Sequence, residues 1–369
     1  MVVAKSTVKR LGCTGFALGS LLLIFGPPDA FAQHSGLLIG FRTPSTTTQY
    51  RTIWIPPKEG AVLVGPQGPT VIVRRKDGFW RVGVRMITFW LIGHPTIWKE
   101  CYAQEELWAI PAQRKFRWNI ARNADKEACD PNVPYYGSNQ IAVEFIGADY
   151  VATKEVYPGR RGDIPRRVWW IERGHLSYLA DISTLVGDEA ERALHDLARK
   201  AVAQAVVEDR EENDPSRRKL TDAERTEMVR SLHYHASPDW GVRRGPGRWV
   251  LVGRILPEVD ELGPAWFADF ELPQAPPTSL VGHGLLFPPW ETIVTKVPGA
   301  RDAFSSPAKD MLVVVTKDTL LGFPIRNGAV GEVVVRLPLV PDEIPVMAQW
   351  AVGPHVERWS RQLRKLLKP

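Results

Sequence analysis

The sequence predicts an α+β protein, with β-hairpin-rich N- and C-terminal regions around a central strand–helix unit. Three observations carry that prediction. Residues 188–206 keep one apolar helical stripe over about four turns. Short β-branched and aromatic runs, several closed by turn residues, recur before and after it. The composition is that of a folded chain: 369 residues, 44% hydrophobic and 24% charged, long enough for two or three cores.

The first 32 residues read as a secretory signal peptide outside the fold. Lys5, Lys9 and Arg10 form a basic head, Phe16 to Phe25 a short apolar stretch, and Ala30-Phe31-Ala32 a small-residue cleavage site. A retained N-terminal anchor is the alternative. No later stretch approaches the roughly 20 apolar residues of a spanning helix. The expected location is therefore secreted or periplasmic, with no transmembrane segment after cleavage. Cys101 and Cys129 remain in the mature chain. In an exported protein they suggest one disulfide, closing a loop of about 28 residues and worth roughly 3–4 kcal/mol. Two unpaired buried thiols are the alternative. Formal charge is +6, and three bases and one acid in the first 32 residues leave the mature chain at +4. That excess is spread over short Arg pairs. It permits attraction to anionic envelope polymers and argues against nucleic acid.

Residues 33–135 read as a β-rich region. Residues 33–58 are expected to run as a polar, extended lead-in. Val71–Val73, the turn Lys76-Asp77-Gly78 and Phe79–Val84 read as a hairpin, and another strand is expected at Phe89–Ile92. Residues 136–272 read as the α+β domain. It holds a strand at Ile141–Phe145, a basic loop at Gly159–Arg167, an aromatic strand at Val168–Ile171, a short apolar link and the helix from Asp188. Asp188 suits the N-cap, and Glu189 and Glu191 complement the positive helix end. Glu208 to Arg218 reads as a solvated loop. Thr221 and Glu224 form a capping box for a second helix ending near Leu232. Val242–Val252, with Pro246-Gly247 as its turn, repeats the hairpin pattern. Pro273–Pro277 reads as a linker into residues 273–369, a β-rich region with strands at Met311–Thr316, Leu320–Ile325 and Gly331–Leu337. That region ends in an amphipathic helix after Gly353-Pro354. Val356, Trp359, Leu363, Leu366 and Leu367 lie on its apolar face. Arg358, Arg361, Arg364 and Lys365 lie largely elsewhere, so the helix either docks on the core or touches membrane or a partner.

No catalytic signature emerges. Gly-x-Ser-x-Gly is absent, and Ser216-Arg217-Arg218-Lys219 lies in a charged run without its partner motifs. His233 and His235 could share an ion if they sit on a strand, with Asp239 or Asp181 supplying an oxygen, but they suit a helix C-terminus equally well. No cofactor is expected. Asp260, Glu261, Asp269 and Glu271 surround Trp266-Phe267, and Glu172 follows Trp169-Trp170. A glycan hydrolase would need two such carboxylates facing across an aromatic cleft. Gly282-His283-Gly284 is a turn bearing a lone histidine. Fourteen tryptophans, many beside Arg, fit either core filling or a binding face. The best binding candidates are Arg160, Arg161, Arg166, Arg167, Trp169 and Trp170, an Arg-rich loop beside two indoles.

The central stretch resembles the extracytoplasmic domain shared by lysozyme-sensing anti-sigma factors and the accessory region of some peptidoglycan deacetylases. The residues concerned are Asp149–Thr153, the basic Gly-bearing loop, Val168–Ile171, Leu176–Ile182 and the helix from Asp188. The resemblance covers about a quarter of the chain. It implies an α+β module that binds a protein or envelope ligand and performs no chemistry. The family's Gly-Gly-Ala-His-like loop is replaced here by Gly159-Arg160-Arg161-Gly162-Asp163. The short N-terminus leaves no room for a sigma-binding domain. A separate similarity, to uncharacterised secreted proteins of soil bacteria, rests on Asp77–Val84 and Val346–Ala351 and names no function. The expectation is therefore an exported, non-enzymatic binding module for an envelope polysaccharide or protein. The alternative is an envelope glycan hydrolase.

Overall fold

The polar segment at Thr46-Thr47-Thr48 lies outside the described residues, but the rest of the extended stretch 33–58 is more than a lead-in. It holds β1 (Ser35–Thr43) and β2 (Gln49–Ile55), two strands at the centre of the molecule. Leu37-Leu38-Ile39 and Ile53-Trp54-Ile55 are apolar without alternation, and each of the six is at most 1% exposed. The reason is that this sheet has a core on each side. Leu38 and Trp54 face one cluster, and Leu37, Ile39, Ile53 and Ile55 face the other. A strand covered on both faces needs no polar alternation.

In this computed structural model the described residues are 34–43, 49–57, 62–92, 99–113, 140–156, 166–172, 175–179, 181–213, 219–231, 239–255 and 268–367. They are sheet-rich, with several antiparallel sheets and few helices. β3 (Leu63–Val64) completes one edge of the first sheet. A second sheet follows, formed by β4 (Thr70–Arg75), β5 (Gly78–Ile92) and β6 (Lys99–Pro111). Arg75 pairs with Gly78, so the expected hairpin turns on Lys76-Asp77. The strand expected at Phe89–Ile92 is the far end of β5 and not a separate element.

The third sheet is β7 (Gln140–Ile146), β8 (Tyr150–Val156), β9 (Arg166–Glu172) and β10 (His175–Leu179), side by side in that order. The expected apolar link after β9 is thus itself a strand. The β7–β8 register shifts between Val143 and Phe145, which places Glu144 at a bulge. Next come α1 (Ser183–Val186), α2 (Asp188–Asn213) and α3 (Asp222–Ser231). α2 runs seven residues past the apolar stripe, into the charged run read as loop. The capping box of α3 is present: Thr221 N donates to Glu224 Oε2 (2.8 Å), and Glu224 N to Thr221 Oγ1 (3.3 Å).

β11 (Asp239–Gly245), β12 (Arg248–Ile255) and β13 (Ala268–Glu271) make the fourth sheet, with Pro246-Gly247 as the first turn. The short helices α4 (Thr278–Val281) and α5 (Trp290–Lys296) follow the proline-rich loop. A fifth sheet holds β14 (Asp302–Ser305), β15 (Met311–Val315), β16 (Thr319–Arg326), β17 (Ala329–Val330) and β18 (Val335–Pro338). The strand expected at Gly331–Leu337 is therefore broken: residues 331–334 separate β17 from β18. β19 (Ile344–Val352) then returns to pair with β1.

α6 (Pro354–Leu366) closes the chain as a docked helix. Val356, Trp359, Leu363 and Leu367 are buried in the first core, while Arg358, Arg361, Arg364 and Lys365 are exposed. The two main cores each take residues from the stretches 33–135, 136–272 and 273–369. Among the described residues no helix is long and apolar enough to cross a membrane.

Candidate functional site

α2 follows from its sequence. Asp188, Glu189 and Glu191 occupy the first turn, where carboxylates suit the positive helix end. Ala190, Leu194, Ala198 and Val202, four residues apart, form one buried row. Small and branched residues on that row let the helix lie close on β12 and β13. Gly253 of β12 is needed there: a Cβ would stand 2.2 Å from the Phe270 ring and 2.7 Å from Leu194 Cδ1.

A cleft of about 780 Å³ lies beside this packing. Its walls are Leu197 of α2, Trp249 and Val250 of β12, Leu272 and the loop 273–276. Thr278 and Val281 of α4, with Gly282, Gly284 and Leu285, complete it. The lining is mainly apolar. Two wall atoms are buried polar groups without a protein partner: Trp249 Nε1 and Gln274 Oε1. Such atoms are rare in folded proteins and call for an explanation. Trp249 itself is 4% exposed. It packs edge-on against Phe145, with ring centroids 4.9 Å apart, and its Cδ1 edge faces Gly284.

A buried ion pair stands behind Trp249. Asp302 accepts from Arg244 Nε (2.6 Å) and Nη2 (2.8 Å) and from the backbone N–H groups of Gly247 (2.9 Å) and Ala303 (2.7 Å). Arg244 also lies 5.0 Å from the Trp249 ring centroid and 4.0 Å from that of Phe304. Gly247 takes φ +68°, which glycine adopts without strain and which brings its N–H to Asp302. Beside this pair is a void of about 10 Å³, large enough for one water, lined in part by Arg244, His283 and Ser305. His283 Nε2 is buried there without a protein partner. Burial pushes the imidazole below its ordinary pKa, against the opposing effect of the Ser305 and Leu285 backbone. A second cleft, of about 340 Å³, lies between Ile55, Phe323 and Val335. It has less than half the volume of the first, so the larger cleft is the better site.

Those of the residues picked from sequence that are described take different surroundings. Arg160 and Arg161 lie outside the described residues. Arg166 is 3% exposed and does not face solvent: it binds Glu144 and, at 3.0 Å, Asp269. Arg167 stacks on Tyr178, 5.6 Å from its centroid. Trp169 is partly buried and donates to Thr153 Oγ1 (3.0 Å), whereas Trp170 is 41% exposed. Trp169 sits opposite Tyr178 and Trp170 opposite Ser177, so the two indoles take opposite faces of β9. They cannot form one platform.

The acids tell a similar story. Asp260, Glu261, Trp266 and Phe267 lie outside the described residues. Asp269 is bound by Arg254 Nε and Nη2, both at 2.5 Å, and by Arg166. Burial alone would raise its pKa, but those hydrogen bonds and charges outweigh it and hold the carboxyl well below the usual range. Such a group cannot serve as a general acid near neutrality. Its folded pKa lies below its unfolded one, so its contribution is complete above about pH 4 and lost as pH falls through the folded value. Asp269→Asn is therefore expected to lower stability at pH 7 and to flatten the acid loss below pH 4. Urea midpoints at pH 7, 4 and 3 check this, and an unchanged acid slope would refute it. Glu271 is bound to Arg243 (2.6 Å) and Arg248 (3.6 Å).

Cys101 lies in β6, but Cys129, His233 and His235 lie outside the described residues. Among the described residues no three His, Cys, Asp or Glu side chains are grouped to hold a metal. The cleft was hard to see in sequence. Its walls come from α2, from one hairpin and from a stretch read as linker, and its sequence signals, Arg248-Trp249, Glu271 and Gly282-His283-Gly284, lie far apart in the chain. Compared with known proteins, the chain matches no family model and no curated protein.

Proposed function

We propose that this chain is an exported, non-enzymatic binding module whose ligand sits in the cleft between α2, the β12–β13 hairpin and α4. One observation carries the reading: an apolar cleft of about 780 Å³ walled by Leu197, Leu272 and Val281, with the Trp249 and Gln274 side chains in its wall. That volume falls in the roughly 300–1,000 Å³ range of small-molecule sites, which pair apolar walls with a few polar groups. The ligand has an apolar body and at least one polar group. It is a free small molecule, or an apolar segment of an envelope polymer or protein. Export rests on the basic head, apolar stretch and Ala30-Phe31-Ala32 of the N-terminus. In layout, hairpin-rich N- and C-terminal regions flank the central strand–helix unit, and the cleft opens beside that unit's helix. The resemblance of the central stretch to extracytoplasmic sensor and accessory domains points the same way, to binding without chemistry.

The hydrolase alternative draws no support from Asp269 or Glu271, since arginines hold both. The test is titration of the purified chain with 1-N-phenylnaphthylamine, an uncharged dye that brightens in apolar sites. Saturable binding is expected at one dye per chain. Ala275→Trp, at an exposed loop position lining the cleft, should weaken it at least about tenfold by filling the space. Absence of saturable binding, or an unaffected Ala275→Trp variant, would overturn the proposal.

A further inference from the structure

The mouth of the cleft is electrically lopsided. Arg243 and Arg248 both approach Glu271, but unequally. Arg243 Nη2 is 2.6 Å from Glu271 Oε1, whereas Arg248 Nη2 is 3.6 Å from Oε2. Among the described residues two guanidiniums thus share this carboxylate, leaving one positive charge in excess. The Arg248 side chain is the more open of the two, at 70% exposed against 40%. The contact that holds it is too long for a good hydrogen bond. Its donors are therefore available to an incoming acceptor at little cost.

The next residue in β12, Trp249, sets its indole in the cleft wall. Past it the walls are hydrocarbon: Leu197, Val250, Leu272 and Val281. Leu285, 80% exposed, carries the apolar surface out to the rim. Arg248, with its side chain 70% exposed, is the partner available to an anionic head.

We infer that the cleft takes a single-chain amphiphile with an anionic head, a long-chain carboxylate, its chain along Leu197, Leu272 and Val281 and its head at Arg248. This rests on the reading of the cleft as a ligand site. A polysaccharide is a poorer fit, because the wall offers few polar groups to hydroxyls. A phosphate-rich ligand is a poorer fit too, because the described rim residues leave one positive charge in excess.

The experiment is displacement of 1-N-phenylnaphthylamine from the purified chain by dodecanoate and by its uncharged methyl ester. Dodecanoate should displace the dye at about tenfold lower concentration than the ester, the scale of one charge-assisted contact. Arg248→Gln should bring the two curves together by weakening dodecanoate alone, since this exposed side chain is not needed for folding. Equal potency of acid and ester on the unaltered chain would overturn the anionic-head assignment and leave the cleft reading standing. So would an acid preference that survives Arg248→Gln. Failure of the dye itself to bind saturably would remove the cleft reading, and this inference with it.

Discussion

Asp302→Ala is expected to destabilise the protein by about 3–5 kcal/mol, because it breaks a buried ion pair on one side only. Asp302 is 5% exposed, and the Arg244 side chain is equally enclosed. The carboxylate accepts four hydrogen bonds, two from Arg244 and two from backbone N–H groups of Gly247 and Ala303. Removing it leaves a guanidinium out of water with one carbonyl partner, that of Ala303. It also orphans the Gly247 N–H in the β11–β12 turn. The pair ties that turn to β14, next to Trp249, so the cleft should loosen as well as the fold. Replacing both partners, as Arg244→Met with Asp302→Leu, should recover much of the loss, because two apolar groups avoid the unpaired charge. Urea midpoints of the wild type, the single variants and the double variant form the cycle. A double variant less stable than Asp302→Ala would show that the pair contributes more than it costs to bury.

Trp359→Ala should cost about 3–5 kcal/mol, the range for deleting a large buried aromatic. Trp359 is 7% exposed and anchors α6. Its ring lies 5.9 Å from Trp54 of β2 and 5.6 Å from Phe79 of β5, the latter edge-on. One side chain therefore joins the last helix to two sheets, and its removal opens a void between three elements. Ser360 reinforces the joint by accepting from Trp54 Nε1 at 3.1 Å. Arg361→Ala, two residues on but exposed, should stay within about 0.5 kcal/mol. Equal effects of the two substitutions would show that α6 is not docked through its apolar face.

Legibility tracked the range of the interactions involved. Local signals carried: the capping box at Thr221 and Glu224, the helix from Asp188, the turns at Lys76-Asp77 and Pro246-Gly247, and the apolar face of α6. Each depends on residues within one or two turns of chain. Long-range relations did not carry. Leu37-Leu38-Ile39 offered no alternation, because the second core that buries the other face is assembled from distant segments. The placement of Arg166 was illegible for a related reason. Arg166 reads as one more exposed cation until the bulge at Glu144 and the strand carrying Asp269 are brought to it.

By itself the sequence determined the sheet-rich character, the hairpin turns, the strongest helix and the absence of a recognisable catalytic motif. These follow from periodicity, capping and turn chemistry, which act over short stretches. Tertiary structure alone decided that β1 and β19 pair across the length of the chain. It decided which arginines are buried and answered by carboxylates. It decided that a proline-rich loop, one hairpin and α2 enclose a cleft. Those outcomes depend on which surfaces meet, and burial and charge pairing are properties of the meeting and not of either segment.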